Sequence, residues 1–339
     1  MTTVSVPDTP NSTVDPDAAR HRRPSLGHRS IAIWLYVALV VLYRTTFREI
    51  LFAVPSLQYW STVFLAVVLQ ALPFLALGVV LSAGIAVLVP AEWIARALPR
   101  RPALAVPVAA VAGMALPGCE CSAVPVAKRM ISRGVPSAAA LTFLLAAPAI
   151  NPVVLVATSV AFPRQPEMVW ARLLASILAA VVVGWIWSAA GAERWMRKVE
   201  VHRTDTSRFN AFASVAVEDM LQAGGYLVLG AAVVASLQTY LPSDLLASIG
   251  GSGVLGVLTM AGLAVVLAIC SEADAFVAAA LGQFSPTARL AFLVVGPMVD
   301  VKLVVMQAGA FGKSFAFRFA PLTFVVCVLS AVLVGRLLL

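Results

Sequence analysis

The sequence predicts an all-α polytopic membrane protein made of two repeats, each of about three spans plus a re-entrant or broken hairpin, after one extra N-terminal span. Three observations predict it. The chain of 339 residues is 61% hydrophobic and only 12% charged, whereas a soluble domain carries about a quarter charged residues. Apolar runs of about 20 residues recur, the length that crosses a hydrocarbon core as a helix. The chain also echoes itself: Cys121-Ser122 matches Cys270-Ser271, Pro148 matches Pro297 and Asn151 matches Asp300, all at a spacing of 149 residues. A second set, Leu69-Gln70-Ala71 with Phe74 and Leu77-Gly78, matches Leu221-Gln222-Ala223 with Tyr226 and Leu229-Gly230 at a spacing of 152. The runs are too long, and alternate too weakly, for an outer-membrane barrel.

Residues 1–29 are polar and rich in Pro, Asp and Arg, the composition of a disordered, cytoplasmic N-terminus. Residues 30–56 hold a first span and its loop; no Ala-x-Ala site closes the run, so it reads as an anchor rather than a cleaved signal. The first repeat occupies 57–190. Its first span runs from Leu57 to Val89, with a kink expected at Pro73. Residues 103–127 contain Pro107, Pro117-Gly118 and Pro125, which break a helix. Basic residues flank this stretch on both sides, Arg96, Arg100 and Arg101 before and Lys128, Arg129 and Arg133 after. A hairpin turning at Pro117–Ser122 keeps both clusters on the cytoplasmic side. A span over 135–162, broken at Pro148 and Pro152, and a span over 168–190 complete the repeat.

A basic cytoplasmic loop, 191–211, carries Arg194, Arg197, Lys198, Arg203 and Arg208. The second repeat, 212–339, has a span over 212–241 and a hairpin over 253–284 turning at Cys270-Ser271. Spans over 287–311, broken at Pro297, and over 318–338 follow. Three spans per repeat invert the second repeat relative to the first, the plan of many secondary transporters. Parallel repeats, with each hairpin crossing once, are the competing plan. The net charge of +8 is concentrated between spans, as the positive-inside rule requires, and does not imply nucleic acid. The partners implied are the lipid bilayer and a small-molecule or metalloid substrate.

The sharpest chemical signal is Cys119-Glu120-Cys121. Two thiols two positions apart on a turn can converge on one soft centre, and the repeat brings Cys270 toward them from the other hairpin. The bland alternative is that Cys packs there as a small apolar residue between close loops. Ser122 and Ser271 sit where a half-helix begins and are read as caps that also border a solute site. Asn151 occupies the matching position to Asp300. Glu120, Glu272, Asp274, Asp300 and Lys302 lie in apolar surroundings, where ionisable groups mark substrate or proton pathways. A single structural ion pair is the alternative. Asp300 and Lys302 are two apart, so pairing them needs unwinding near Pro297. No nucleotide-binding motif is visible, and the reading assigns neither a cofactor nor an enzymatic activity. Cys-x-Cys is not the usual redox spacing, which disfavours a membrane thiol oxidoreductase.

At Cys-x-Cys-Ser-x-x-Pro over 119–125, Pro-x-x-Asn-Pro over 148–152 and Cys-Ser-Glu-Ala-Asp-Ala-Phe over 270–276, the chain resembles the YraQ/ArsP-type predicted permeases of the inner membrane. The resemblance covers residues 57–338. It implies a multi-pass permease of the cell membrane and, from members characterised as ArsP, efflux of trivalent organoarsenicals such as methylarsenite. Carried over by position, Cys119, Cys121 and Cys270 would be thiol ligands for the arsenic or for a soft metal. Glu120 stands where a small residue is common, and Asn151-Pro152 looks more like the YraQ branch, so another small anion or a soft metal is the alternative cargo.

Overall fold

The computed structural model describes residues 55–88, 102–115, 119–191, 195–196, 208–240 and 253–339. The expected N-terminal tail and first span lie outside these, as does most of the basic loop. Tyr59–Leu339 forms one compact unit; of the other, Met1–Gln58, only the start of one helix is described.

The described residues form helices and turns, with no strand among them. In chain order the helices are α1 (Pro55–Leu88), α2 (Pro102–Gly113), α3 (Glu120–Ser132), α4 (Ser137–Ile150), α5 (Pro152–Ala161) and α6 (Glu167–Ala189), then α7 (Arg208–Tyr240), α8 (Val254–Leu267), α9 (Asp274–Ala280), α10 (Pro286–Met298), α11 (Val301–Phe311) and α12 (Lys313–Leu338). The order in α1–α6 recurs in α7–α12. A long helix is followed by two short ones, a helix broken in two and a closing long helix. Among the described residues six segments are long and apolar enough to cross a membrane: α1, α4–α5, α6, α7, α10–α11 and α12. These are the three spans per repeat that hydropathy predicts, with ends displaced by a few residues.

The short helices form hairpins. At about 1.5 Å per residue, the 12 residues of α2 and the 13 of α3 are each too short for a hydrocarbon core of roughly 30 Å. Gly113, ending α2, lies against Ala146 and Ala147 near the end of α4, while Val106 and Thr142 meet at Gly184. So α2 runs parallel to α4. Arg133–Pro136 links α3 to α4 directly, and α3 packs back along it. Two arms of opposite direction on one helix make α2–α3 a hairpin with its tip beside the break in α4–α5. In the second repeat Gly296 near the end of α10 lies by Ala264 near the end of α8.

Pro107 and Pro125, expected to break their helices, do not. Pro73, Pro107 and Pro125 all sit inside continuous helices. A proline frees the carbonyl four residues earlier, and for Pro107 that carbonyl, Ala103 O, accepts from Trp185 Nε1 at 3.2 Å. The breaks in α4–α5 and α10–α11 fall three residues after Pro148 and Pro297, at Asn151 and Asp300, because there a side chain takes over the free amides of the next helix. Asn151 Oδ1 accepts from Val154 N at 2.9 Å, and Asp300 Oδ1 from Leu303 N at 2.6 Å.

The broken helices are the innermost. Over their most apolar stretch, 78% of α4–α5 and 83% of α10–α11 is buried, against 22–44% for the other four spans. Lipid offers no hydrogen bonds, so irregular backbone persists only where protein encloses it. Trp187 of α6 packs edge-on against Phe315 and Phe319 of α12, with ring centres 5.1 and 5.3 Å away, joining the closing helices of the two repeats.

The repeat-matched Gly78 and Gly230 let the long helices approach the interior backbone. A Cβ on Gly78 would meet Ser122 Cα at 2.5 Å, and one on Gly230 would meet Lys302 Cα at 3.1 Å. Gly78→Val is expected to destabilise the fold by about 1–3 kcal/mol through overpacking. Gly84→Ala on the same helix, where a Cβ meets nothing within 4 Å, is expected to leave stability unchanged or raise it. Thermal unfolding of both variants in lipid nanodiscs checks the difference.

Candidate functional site

Three chain segments converge beside the breaks: the start of α3, the turn between α8 and α9, and the start of α11. Cys119 is the N-terminal flank of α3, extended at φ −81° and ψ 175°, and makes no side-chain cap. Ser122 instead turns back, donating from both N and Oγ to the Cys119 carbonyl at 3.1 and 2.7 Å. This corrects the capping role: Ser122 lies inside the first turn and fixes the Cys119 backbone. Across from it, α8 ends at Ala268 in the left-handed region, φ 47°, a costly conformation for a residue with a Cβ. That bend redirects the chain into Cys270-Ser271. Ser271 does not cap either, because α9 begins only at Asp274.

The two segments bring together the thiols of both repeats. Cys119 lies against the thiols of Cys121 and Cys270, and all three residues are buried. The Sγ atoms of Cys119 and Cys270 and a carboxylate oxygen of Glu120 lie within 4.8 Å of one another. Two sulfurs and one oxygen at such spacing can close on one soft atom. Cys327 is elsewhere, on α12, with Sγ 3.4 Å from Met298 Sδ.

An ionic cluster adjoins the thiols. Lys302 Nζ lies 2.5 Å from Glu120 Oε1 and 3.9 Å from Asp300 Oδ2. All three side chains are buried. The expected unwinding near Pro297 is present and lets Asp300 and Lys302 face each other. The closer partner of Lys302 nevertheless comes from the other repeat. Glu120 Oε2 and Asp300 Oδ2 make no hydrogen bond among the described residues, so the cluster carries open acceptor capacity. Asn151, matched to Asp300 in sequence, does different work: its Nδ2 donates to Ala147 O at 3.1 Å while Oδ1 caps α5.

A second buried ion pair was not legible in the sequence. Arg172 of α6, fully buried, grips both carboxylate oxygens of Asp274, with Nη1 2.9 Å from Oδ1 and Nη2 2.8 Å from Oδ2. It also donates to Thr158 Oγ1 on α5 at 2.9 Å and to the Ser271 carbonyl at 3.3 Å. Arg172 therefore ties the Cys270 turn of the second repeat to two helices of the first. Arg172 lies near the start of its span, where a charge is ordinarily an interfacial one. Glu272, in the same turn, is half-buried. A third polar group joins α1, α3 and α7: Asp219 accepts from Ser82 Oγ at 2.6 Å and Arg129 Nη2 at 3.0 Å.

Breaking a buried pair strands the surviving charge. Arg172→Met is expected to destabilise the protein by about 3–5 kcal/mol, and the double variant Arg172→Met with Asp274→Leu by less than either single change. Unfolding midpoints of the three variants in one detergent provide the comparison.

The family described as predicted permease matches residues 56–336, all of the helical unit. The UPF0718 protein YcgR of Bacillus subtilis is 36% identical over 286 residues, covering 82% of this chain and 96% of its own length. A Streptococcus mutans protein, named for a two-component membrane permease complex of which it is called a subunit, is 34% identical over 282 residues, covering 80% of this chain and 94% of its own. No solved structure matches. With six membrane-length segments among the described residues and a family match over residues 56–336, the chain is a multi-span membrane protein that belongs to the predicted permease family.

Proposed function

We propose that this permease is a secondary, ion-coupled exporter of a small thiophilic solute, of the class of trivalent arsenicals and organoarsenicals, working in the cell membrane with its N-terminus in the cytoplasm. The observation that carries the reading is the meeting of Cys119 and Cys121 of one repeat with Cys270 of the other, buried beside Glu120. A monoalkyl arsenical with two As–OH groups reacts with two thiols: two As–S bonds form, and the two S–H protons leave with the hydroxyls as two waters. Release reverses this: as the repeats rock apart and water enters, two waters cleave the two As–S bonds, restoring the two As–OH groups and both S–H thiols. This mechanism uses the two repeats in inverted orientation.

The coupling ion is assigned to Glu120, Asp300 and Lys302, where one ammonium serves two carboxylates and acceptor oxygens stay open. Asp274 is engaged by Arg172 on both oxygens and is given a positioning role; Glu272 borders the site. A second reading, transport of a soft divalent cation, is favoured by the mixed sulfur and oxygen donor set of Cys119, Cys270 and Glu120.

Cys119→Ser and Cys270→Ser are each expected to abolish methylarsenite accumulation in everted vesicles, and Asp300→Asn to remove its dependence on a proton gradient. Cys327→Ser is expected to transport normally. Full transport in both site-thiol variants rejects the site. Inversion has its own test: cysteines replacing Arg133 and Arg194 are expected to label from the same, cytoplasmic face.

A further inference from the structure

A buried centre is reached only along some path. We propose that the cleft between α3, α7 and α11 is the access route to the thiol site, latched at its outer end by Arg129 and Asp219, and that it passes an uncharged solute. This rests on the thiol cluster being the substrate site.

The cleft, counted together with the open space at its mouth, spans about 290 Å³. Its walls continue the helices that build the site, because residues four apart in a helix stack on one face. On α3, Glu120 is followed at that interval by Val124 and Lys128, both lining the cleft. On α11, Lys302 is followed by Met306 and Ala310, again both lining it. On α7, Gly230 touches the Lys302 backbone, and Tyr226 and Gln222 line the cleft at the preceding intervals. Three stripes therefore start at the Lys302–Glu120 pair and run outward together for two helical turns, about 12 Å at 1.5 Å per residue.

Polarity changes along these stripes. The inner stretch is Val124, Met306 and Tyr226; the outer end carries Lys128, Gln222 and Asp219. Outer contacts join α3 to α7: Lys128 Nζ hydrogen-bonds Gln222 Oε1, and Arg129 pairs with Asp219. Water at an opening mouth can replace these. The apolar inner stretch offers a hydrated cation no such replacement, so dehydration excludes it. A neutral, soft solute passes without that cost, which favours the uncharged arsenical class over the divalent cation.

The experiment uses the full chain in nanodiscs and needs no identified substrate. Site thiols are labelled with N-ethylmaleimide, which is neutral, and with a cationic methanethiosulfonate, read residue by residue by mass spectrometry. Neutral labelling of Cys119 and Cys270 is expected to outpace cationic labelling at least tenfold. Ala310→Trp is expected to slow it at least tenfold, and Asp219→Asn to speed it several-fold, with Cys327 unchanged in both. Ala310→Cys is expected to label readily, which tests the route without a bulky plug. Unchanged site labelling in Ala310→Trp, or an unreactive Ala310→Cys, overturns the route. If the route fails while Cys119→Ser still abolishes methylarsenite transport, the site reading survives without it; if the route holds and Cys119→Ser transports normally, the site reading falls alone.

Discussion

The fold depends on one constraint: charges that cannot reach water must find each other across the repeat boundary. Glu120 belongs to the first repeat and Lys302 to the second, and both are buried. Among the described residues Glu120 finds its cation in the other repeat, while Lys302 also has Asp300 of its own repeat at 3.9 Å. Arg172 and Asp274 also bridge the repeats but run the other way, cation in the first repeat and anion in the second. In a low-dielectric interior a lone charge is far costlier than a paired one. The two pairs therefore specify how the repeats assemble, where apolar contacts alone would tolerate sliding. Both pairs end on the segments that carry the cysteines, so the electrostatic constraint also sets the sulfur positions.

The broken helices satisfy a second demand. Each break exposes amides and carbonyls that lipid cannot serve, and each is closed by the side chain at its first residue, Asn151 or Asp300. The difference between amide and carboxylate then matters. Asn151 can donate as well as accept, and stitches the break shut by also holding the Ala147 carbonyl. Asp300 can only accept, and its second oxygen is left beside Lys302. One break is thus a closed joint and the other a chemically open one, although the sequence positions match.

The architecture was largely legible in the sequence. The lengths of the apolar runs set the spans, and the 149-residue echo placed Cys121 and Cys270 in equivalent turns before any contact was known. The Leu77-Gly78 and Leu229-Gly230 echo, read in the sequence only as a sign of duplication, falls at two close approaches to the interior backbone. Proline was misleading, because its effect depends on whether the freed carbonyl finds another donor. Trp185 supplies one for Pro107, a partner 78 residues away in sequence. Arg172 and Asp219 were missed for the same reason. A charge within a turn or two of a span's end looks like an interfacial anchor unless its partner is known, and both partners lie in distant helices.

The resulting asymmetry bears on mechanism. Duplication supplied two equivalent hairpins and two equivalent breaks, but the first repeat holds two of the three clustered sulfurs, Cys119 and Cys121, and the second holds Asp300 and Lys302. On the proposed mechanism, a solute held by these sulfurs would lie beside Glu120 of the first repeat and Asp300 and Lys302 of the second. A rigid-body movement of one repeat against the other that parts Cys119 from Cys270 also parts Glu120 from Lys302, since each pair bridges the same seam. Separating the repeats in this way would leave Glu120 without its cation and Lys302 with Asp300 alone. The freed glutamate would then need water or a proton, and this is how the proposed exporter would join solute release to ion exchange.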